Sequence, residues 1–351
     1  MNKYFESVKD ELRRNPKKWL ITGVAGFIGS NLLNELLELN QKVIGLDNFL
    51  TGHQRNLDDV LQSVLPNQAK NFTFVFGDTA NLMGSQNIFV GVDYVLHQAA
   101  LGSVPRSIED PIPSNINNVD GFLNVLLAAR DANVKRLVYA SSSAVYGDSE
   151  VLPKSESYHG KQLSPYAVTK YVNELYAQVF AKNYNFFSIG LRYFNVFGPR
   201  QDPNGVYSAV IPRWIMAYLR GGELIINGDG ETTRDFCYID NVVQANILAA
   251  VADVDINKSE NLVFNIAFGE QTSLSKLSSL IAENFGSRNF FSKTRVVYKN
   301  FRAGDIRHSL ADISKAKNIL GYQPLISVDH GIKCAIDWYF LRQKSPNELS
   351  E

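Results

Sequence analysis

Glycines at positions 23, 26 and 29 follow a short apolar run, Trp19–Thr22, and open a segment, Ile28–Leu39, whose apolar residues recur at helical spacing. That spacing permits a tight strand-to-helix turn, a close approach of backbone to a ligand, and a helix packed hard against the preceding strand. The N-terminus of such a helix carries free N–H groups and a partial positive charge, a natural receptor for phosphate. The alternation then repeats. Lys42–Asp47, Phe72–Gly77, Tyr94–Gln98, Arg136–Ser141 and Phe187–Arg192 read as buried strands, with Leu57–Leu65, Asn118–Ala129 and Val168–Lys182 as helices between and after them. Strands alternating with helices build a parallel sheet covered on both faces. The expected fold is therefore α/β, a Rossmann-type doubly wound parallel sheet.

Ahead of the first strand, Glu6–Arg14 reads as a helix, so residues 1–17 are expected to form an N-terminal helical extension. The dinucleotide-binding domain is expected over 18–194. After Asn195 the pattern loosens: Gly198–Gly205 is rich in turn residues. Short strands at Leu224–Ile226 and Leu262–Ile266 then mix with helices at Val210–Leu219, Leu274–Glu283 and Ile313–Leu320. Residues 195–351 are expected to form a smaller mixed α/β C-terminal substrate-binding domain, with segments near 236–266 returning to the sheet.

Charge narrows the partners. Lys+Arg and Asp+Glu both number 35, so the chain offers no net field to draw in nucleic acid or a membrane surface. The only cysteines, Cys237 and Cys334, fit no metal-ligand spacing and no disulfide framework, so no metal is expected. Met1–Lys18 is polar with charges of both signs, unlike a signal peptide, and no apolar run is long enough to span a bilayer. A cytoplasmic location is the expectation.

The chemistry begins at Asp47, at the end of the second strand and beyond the glycine turn. A carboxylate there accepts both hydroxyls of an adenosine ribose and repels a 2′-phosphate, which favours NAD over NADP. Asp78, after the third strand, stands where it could meet the adenine edge or simply cap the strand end. Tyr166 and Lys170, four residues apart, share one helical face. A phenol with a pKa near 10 is a poor base at neutral pH, and an adjacent ammonium lowers that cost. Before them runs Ala140-Ser-Ser-Ser-Ala-Val-Tyr-Gly147, whose hydroxyls are placed to bond a sugar oxygen and relay a proton to the tyrosine.

The glycine triplet, Asp47, the serine run, Tyr166/Lys170 and Leu191-Arg-Tyr-Phe-Asn-Val-Phe-Gly-Pro199 together resemble the extended short-chain dehydrogenase/reductase family. Within it the chain is similar to nucleotide-sugar 4-epimerases, and most to the subgroup acting on UDP-N-acetylglucosamine and UDP-N-acetylgalactosamine. The closer match lies in His97–Ser107, Asn227–Asp240 and Phe301–Asp312. The resemblance implies that Tyr166 is the base, Lys170 its partner, and Ser142 or its neighbour Ser143 the catalytic hydroxyl. For NAD it implies Gly23, Gly26, Phe27, Ile28 and Gly29 at the turn, and Asp47, Asn48, Thr51 and Gly52 after the second strand. It adds Asp78 and Thr79, then Gln98, Ala99 and Ala100, and finally Asn118 and Tyr193. For UDP it implies Asn195, Asn227, Arg234, Arg302 and Asp305, with Ala209, Val210, Trp214 and Ile226 nearby. Gly102, Ser103 and Ser309 would border the sugar; a bulky residue at the last position excludes an N-acetyl group in related enzymes, and serine leaves room.

The implied reaction is an NAD-dependent inversion at C4 through a transient 4-keto sugar, interconverting UDP-GlcNAc and UDP-GalNAc, with UDP-Glc and UDP-Gal as a further candidate pair. Related dehydratases place an Asp-Glu pair after the catalytic hydroxyl; here Ser143-Ala144 follows Ser142, which argues against elimination. A UDP-N-acetylhexosaminuronic acid 4-epimerase or another nucleotide-sugar enzyme of the same fold is the alternative, and a non-catalytic sensor of NAD and nucleotide sugar is a third. Relatives pair through two helices matching Asn118–Arg130 and Val168–Lys182, so a homodimer is expected.

Overall fold

The computed structural model describes residues 2–82, 86–204, 208–254, 262–288, 290, 292–301 and 306–343. Its centre is a seven-stranded parallel sheet. Six strands are β1 (Lys18–Thr22), β2 (Lys42–Asp47), β3 (Phe72–Phe76), β4 (Tyr94–His97), β5 (Arg136–Ser142) and β6 (Ser188–Tyr193). The seventh, Val263–Ile266, joins the edge beyond β6, giving the order Val263–Ile266, β6, β5, β4, β1, β2, β3.

Parallel strands covered on both faces must be apolar on both, which is why these segments read as unbroken hydrophobic runs rather than alternating ones. The pleat still sorts them. Trp19 and Ile21 point into the larger core, shared with the C-terminal half, while Leu20 points into a second core with Phe122, Leu137 and Phe180 on the opposite face. The strand order reverses at β1, which has β2 on one side and β4 on the other. Chains leaving β1 and β4 at their carboxyl ends diverge, and a crevice opens between them.

Helix boundaries differ from the periodicity by a few residues, for local reasons. The helix expected to start at Val168 starts at Pro165, because Ser164 caps it by accepting the Ala167 N–H and proline suits the first turn. The segment expected as a helix from Asn118 is a five-residue π turn, Ile116–Asp120, running into a helix at Gly121–Asp131. The sequence pattern missed the helix Val328–Gln343 and the strand Arg295–Lys299, which pairs in parallel with Glu223–Asn227. Arg295–Lys299 has an apolar run of only three residues, Val296–Tyr298, too short to mark a strand, and keeps only its middle residue half-buried.

The N-terminal helix, Lys3–Arg14, is fastened to the body. Asn2 caps it and donates to the Gly321 carbonyl, Phe5 and Leu12 are buried, and Gln41 donates to the Leu12 carbonyl. The helix Ile239–Val251, buried along most of its length, packs on the sheet, and its chain then supplies the seventh strand. Between β5, β6 and the helix Pro165–Tyr184 lies a fully buried ion pair. The Arg192 guanidinium donates two bonds to Glu174, at 2.9 and 2.7 Å, and Ser141 adds a third at 2.5 Å. Among the described residues no helix is long and apolar enough to cross a membrane, and no cluster of His, Cys, Asp and Glu could hold a metal ion.

Candidate active site

The crevice at the strand-order switch is a cleft of about 470 Å³, partly open to solvent. Its floor is the glycine turn. Gly23 has φ of +71° and a Cβ there would lie 2.7 Å from the Ala99 nitrogen, while a Cβ on Gly29 would lie 2.1 Å from the Gly23 carbonyl oxygen. No side chain fits at either position, so the helix Phe27–Glu38 starts directly over β1. Its cap, Gly26, contributes no side-chain bond, leaving the first-turn N–H groups without an internal partner. A cradle of this shape and polarity suits a pyrophosphate. The sequence-assigned residues Gly23, Gly26, Phe27, Ile28 and Gly29 all line the cleft. So do Asp47, Asn48, Thr51 and Gly52, with Asp78, Thr79, Gln98, Ala99 and Ala100 opposite.

Asp47 is 8% exposed and its two oxygens accept N–H bonds from Ala25 and Phe49, both at 2.8 Å. Burial pushes its carboxyl above the ordinary range, and those donors pull the other way. It therefore anchors the turn as well as facing the cleft, and a carboxylate has lone pairs left for a diol. Asn48 donates to Asp78 at 3.0 Å, and Asp78 also accepts the Ala80 N–H, which ties the ends of β2 and β3 together.

Two residues assigned to the cofactor stand behind the wall. The Asn118 side chain is 1% exposed and is taken up by both backbone groups of Leu101 and by Thr169. The Tyr193 hydroxyl donates to Gln98 at 3.2 Å and accepts from Asn246 at 2.9 Å. Both shape the segment 98–101 from outside the cleft.

Tyr166 and Lys170 lie one turn apart near the start of the helix Pro165–Tyr184. Ser142, which ends β5 and accepts the Ala144 N–H at 3.1 Å, lies close enough to the Tyr166 hydroxyl to lower its pKa. Ser143 instead opens the single 3₁₀ turn Ser143–Tyr146. Lys170, 2% exposed, donates to the Ala140 carbonyl at 2.8 Å, and its nitrogen lies 6.0 Å from the Tyr166 ring centre. Burial lowers Lys170 to about 8. Tyr166 is raised above 10 by burial, with Ser142 pulling it down. The adjacent ammonium is expected from the sequence to lower the cost of ionising the phenol; here the ammonium bonds the Ala140 carbonyl, and burial is the largest influence on Tyr166.

The substrate assignments divide. Gly102, Ser103 and Ala209 line the cleft, as do Arg106, Asn117, Gln201 and Ser208, which sequence reasoning did not single out. Those four come from a six-residue helix, a π turn and loops, where neither periodicity nor a short motif marks them. Arg106 and Asn117 belong to the stretch after β4, so its length was the only available signal. Ser309 donates its N–H to the Thr233 carbonyl at 3.2 Å, next to Arg234, and Asn195 donates to the Asp235 carbonyl at 3.1 Å. These three share one neighbourhood. Asn227 ends the strand Glu223–Asn227, and Val210 opens the helix Val210–Arg220, each half-buried. Trp214 and Ile226, at 4% and 1% exposure, have core side chains, so the expectation that they touch substrate through side chains is corrected. Arg302 and Asp305 lie outside the described residues.

A doubly wound sheet with a glycine phosphate turn at its switch point, and a Tyr/Lys pair beside it, defines an NAD-dependent enzyme of the short-chain dehydrogenase/reductase type. The chain belongs to the NAD dependent epimerase/dehydratase family, whose model matches residues 19–267. It is similar to a putative UDP-glucose 4-epimerase of Methanocaldococcus jannaschii, 36% identical over 91% of this chain and 97% of the relative. The structure of a UDP-N-acetylglucosamine 4-epimerase from Methanobrevibacter ruminantium M1 in complex with UDP-N-acetylmuramic acid superposes with a TM-score of 0.84 at 36% identity, covering 93% of this chain and 99% of that one. A UDP-glucuronic acid 4-epimerase mutant from Bacillus cereus, in complex with UDP-4-deoxy-4-fluoro-glucuronic acid and NAD, has a TM-score of 0.80 at 31% identity, with the same coverage.

The lowered Lys170 carries a stability signature. Its native value lies below that of an exposed lysine, so from about pH 8 upward the unfolded chain binds more protons than the folded one, and stability rises with pH. In denaturant titrations from about pH 8 to pH 10, the wild type should gain stability relative to Lys170→Met. A constant difference between the two would show that burial does not depress this lysine.

Proposed function

We propose that the protein is an NAD-dependent UDP-sugar 4-epimerase that interconverts UDP-GlcNAc and UDP-GalNAc. The observation that carries this reading is the juxtaposition of Tyr166 with Ser142, followed by Ser143 and Ala144, neither of them ionisable. A proton acceptor without a neighbouring acid–base pair suits reversible oxidation at a carbinol carbon and gives no help to the expulsion of a hydroxyl.

The glycine turn and the open helix terminus would hold the pyrophosphate of NAD, and Asp47 its adenosine ribose. When bound, NAD supplies the hydride acceptor and donor for C4, together with a positive ring. Tyr166 takes the C4 hydroxyl proton, directly or through Ser142, and returns it after the 4-keto sugar has presented its other face. Lys170 spends one of its N–H donors on Ala140 and has others for the nicotinamide ribose. No net oxidation results, so the cofactor has no need to leave. Arg234 would pair with the diphosphate by charge-assisted bonds. Ser309, small and half-buried beside Thr233, would leave space for an N-acetyl group.

A second reading rests on Arg106, which lines the cleft beside Ser103 and could meet a C6 carboxylate. It makes the enzyme a UDP-N-acetylhexosaminuronic acid 4-epimerase, and much faster turnover of UDP-GlcNAcA than of UDP-GlcNAc would favour it.

We also propose a homodimer. The helix Pro165–Tyr184 leaves Val168, Leu175 and Val179 exposed at 47%, 41% and 49%, an apolar row at helical spacing. Sedimentation should give the mass of two chains, reduced to one by Leu175→Glu with Val179→Glu; a monomeric wild type would refute the pairing.

Incubation with UDP-GlcNAc should yield UDP-GalNAc, with kcat falling by about 10²–10⁴ in Tyr166→Phe while NAD stays bound. No product from an NAD-loaded wild type would sink the reading. Ser309→Tyr should lose the acetylated pair and keep any activity on UDP-Glc and UDP-Gal; equal loss of both would remove Ser309 from the sugar site.

A further inference from the structure

Asp235 is completely buried, yet its carboxylate faces backbone on both sides. One oxygen accepts the N–H groups of Phe268 at 3.1 Å and Gly269 at 3.2 Å; the other accepts Gly269 at 3.1 Å and Ala311 at 3.2 Å. Its own carbonyl accepts the Asn195 side chain at 3.1 Å. Three chain segments far apart in sequence therefore meet on one residue.

Two of these segments carry part of the assigned substrate site, and the third leads into a strand that pairs with the strand of Arg234. Asn195 is held directly. Arg234 is the preceding residue, and its strand pairs with Thr272–Ser273, just past the Phe268–Gly269 turn. Ser309 lies two residues before Ala311 and bonds to Thr233. The 309–312 segment is held from its other side by Lys154, whose N–H donates to Leu310 at 2.7 Å and whose carbonyl accepts Asp312 at 2.9 Å. Lys154 follows the Ser142–Gly147 run, so the clamp also reaches toward the catalytic strand end.

We propose that Asp235 is a positioning residue for the nucleotide-sugar half of the site, setting the distance between Asn195, Arg234 and Ser309; this rests on the UDP-sugar reading above. It touches no reacting atom. Its effect falls on binding of the diphosphate and sugar, and leaves the NAD cleft and the Tyr166 chemistry as they are.

Asp235→Asn discriminates sharply because the shape is kept and one acceptor becomes a donor. Whichever way the amide turns, its NH₂ must face either Phe268 and Gly269 or Gly269 and Ala311, leaving buried N–H groups without an acceptor. One segment is then released. In the NAD-loaded full chain, KM for UDP-GlcNAc should rise about tenfold, with calorimetric affinity for UDP falling alike. The value of kcat per bound NAD should stay within about threefold. A merely structural role would lower the melting temperature and the active fraction with KM unchanged, and that result overturns the proposal. Should the variant fail to fold, hydrogen exchange on the wild type decides: amides of Phe268, Gly269 and Ala311 protected without ligand support the clamp, and exchange as fast as exposed loops refutes it. A wild type that binds neither UDP nor UDP-GlcNAc defeats the UDP-sugar reading itself, and this inference with it; unchanged KM in an active Asp235→Asn defeats the inference alone.

Discussion

Where the chain leaves β1, the backbone of Gly29 passes so near the Gly23 carbonyl that even a methyl group would sit inside it. This contact fixes the angle at which the helix Phe27–Glu38 crosses the sheet, and so where its free N–H groups point. Because β2 and β4 flank β1 on opposite sides, the same point is where the strand order reverses. The cleft, the placement of Asp47 at the neighbouring strand end and the run Gln98–Ala100 across from it all follow from that geometry.

The chemical half of the site depends on a different constraint. Tyr166 and Lys170 sit on a helix, Ser142 on a strand, and the proton transfer proposed for them requires a relative placement held to a fraction of an ångström. Arg192, Glu174 and Ser141 tie that helix to β5 and β6 through three short bonds in a dry interior. A buried ion pair is no guarantee of net stability, since desolvation offsets most of its attraction. What it does supply here is one geometry, because any other leaves a charge buried without its partner.

How much of this was legible in the sequence follows from what kind of signal each part leaves. Buried parallel strands announce themselves by apolar runs, so β1 to β6 were readable to within about a residue. Gly23 and Gly29 mark a turn with no room for a side chain at either position, and Tyr166 and Lys170 are four apart on a helix whose period is known. Parts assembled across distant loops left no such mark. Arg106 and Gln201 meet at one cleft only after folding, and Asp235 reads in sequence as an ordinary acid beside an arginine. Asn118 and Tyr193 stand behind the wall of the cleft, and a linear pattern does not say whether a side chain faces the cleft or braces its back. Trp214 and Ile226 failed for the same reason, being apolar residues that the core claimed.

In the proposed reaction C4 of the sugar is oxidised and re-reduced within one binding event, with Tyr166 handling the proton and the hydride never reaching water. UDP-GlcNAc carrying deuterium at C4 tests it most directly. Mass and NMR analysis of the UDP-GalNAc formed should find the deuterium still at C4, with no NADH accumulating. Loss of the label to solvent would contradict the account, because the hydrogen would then have left as a proton.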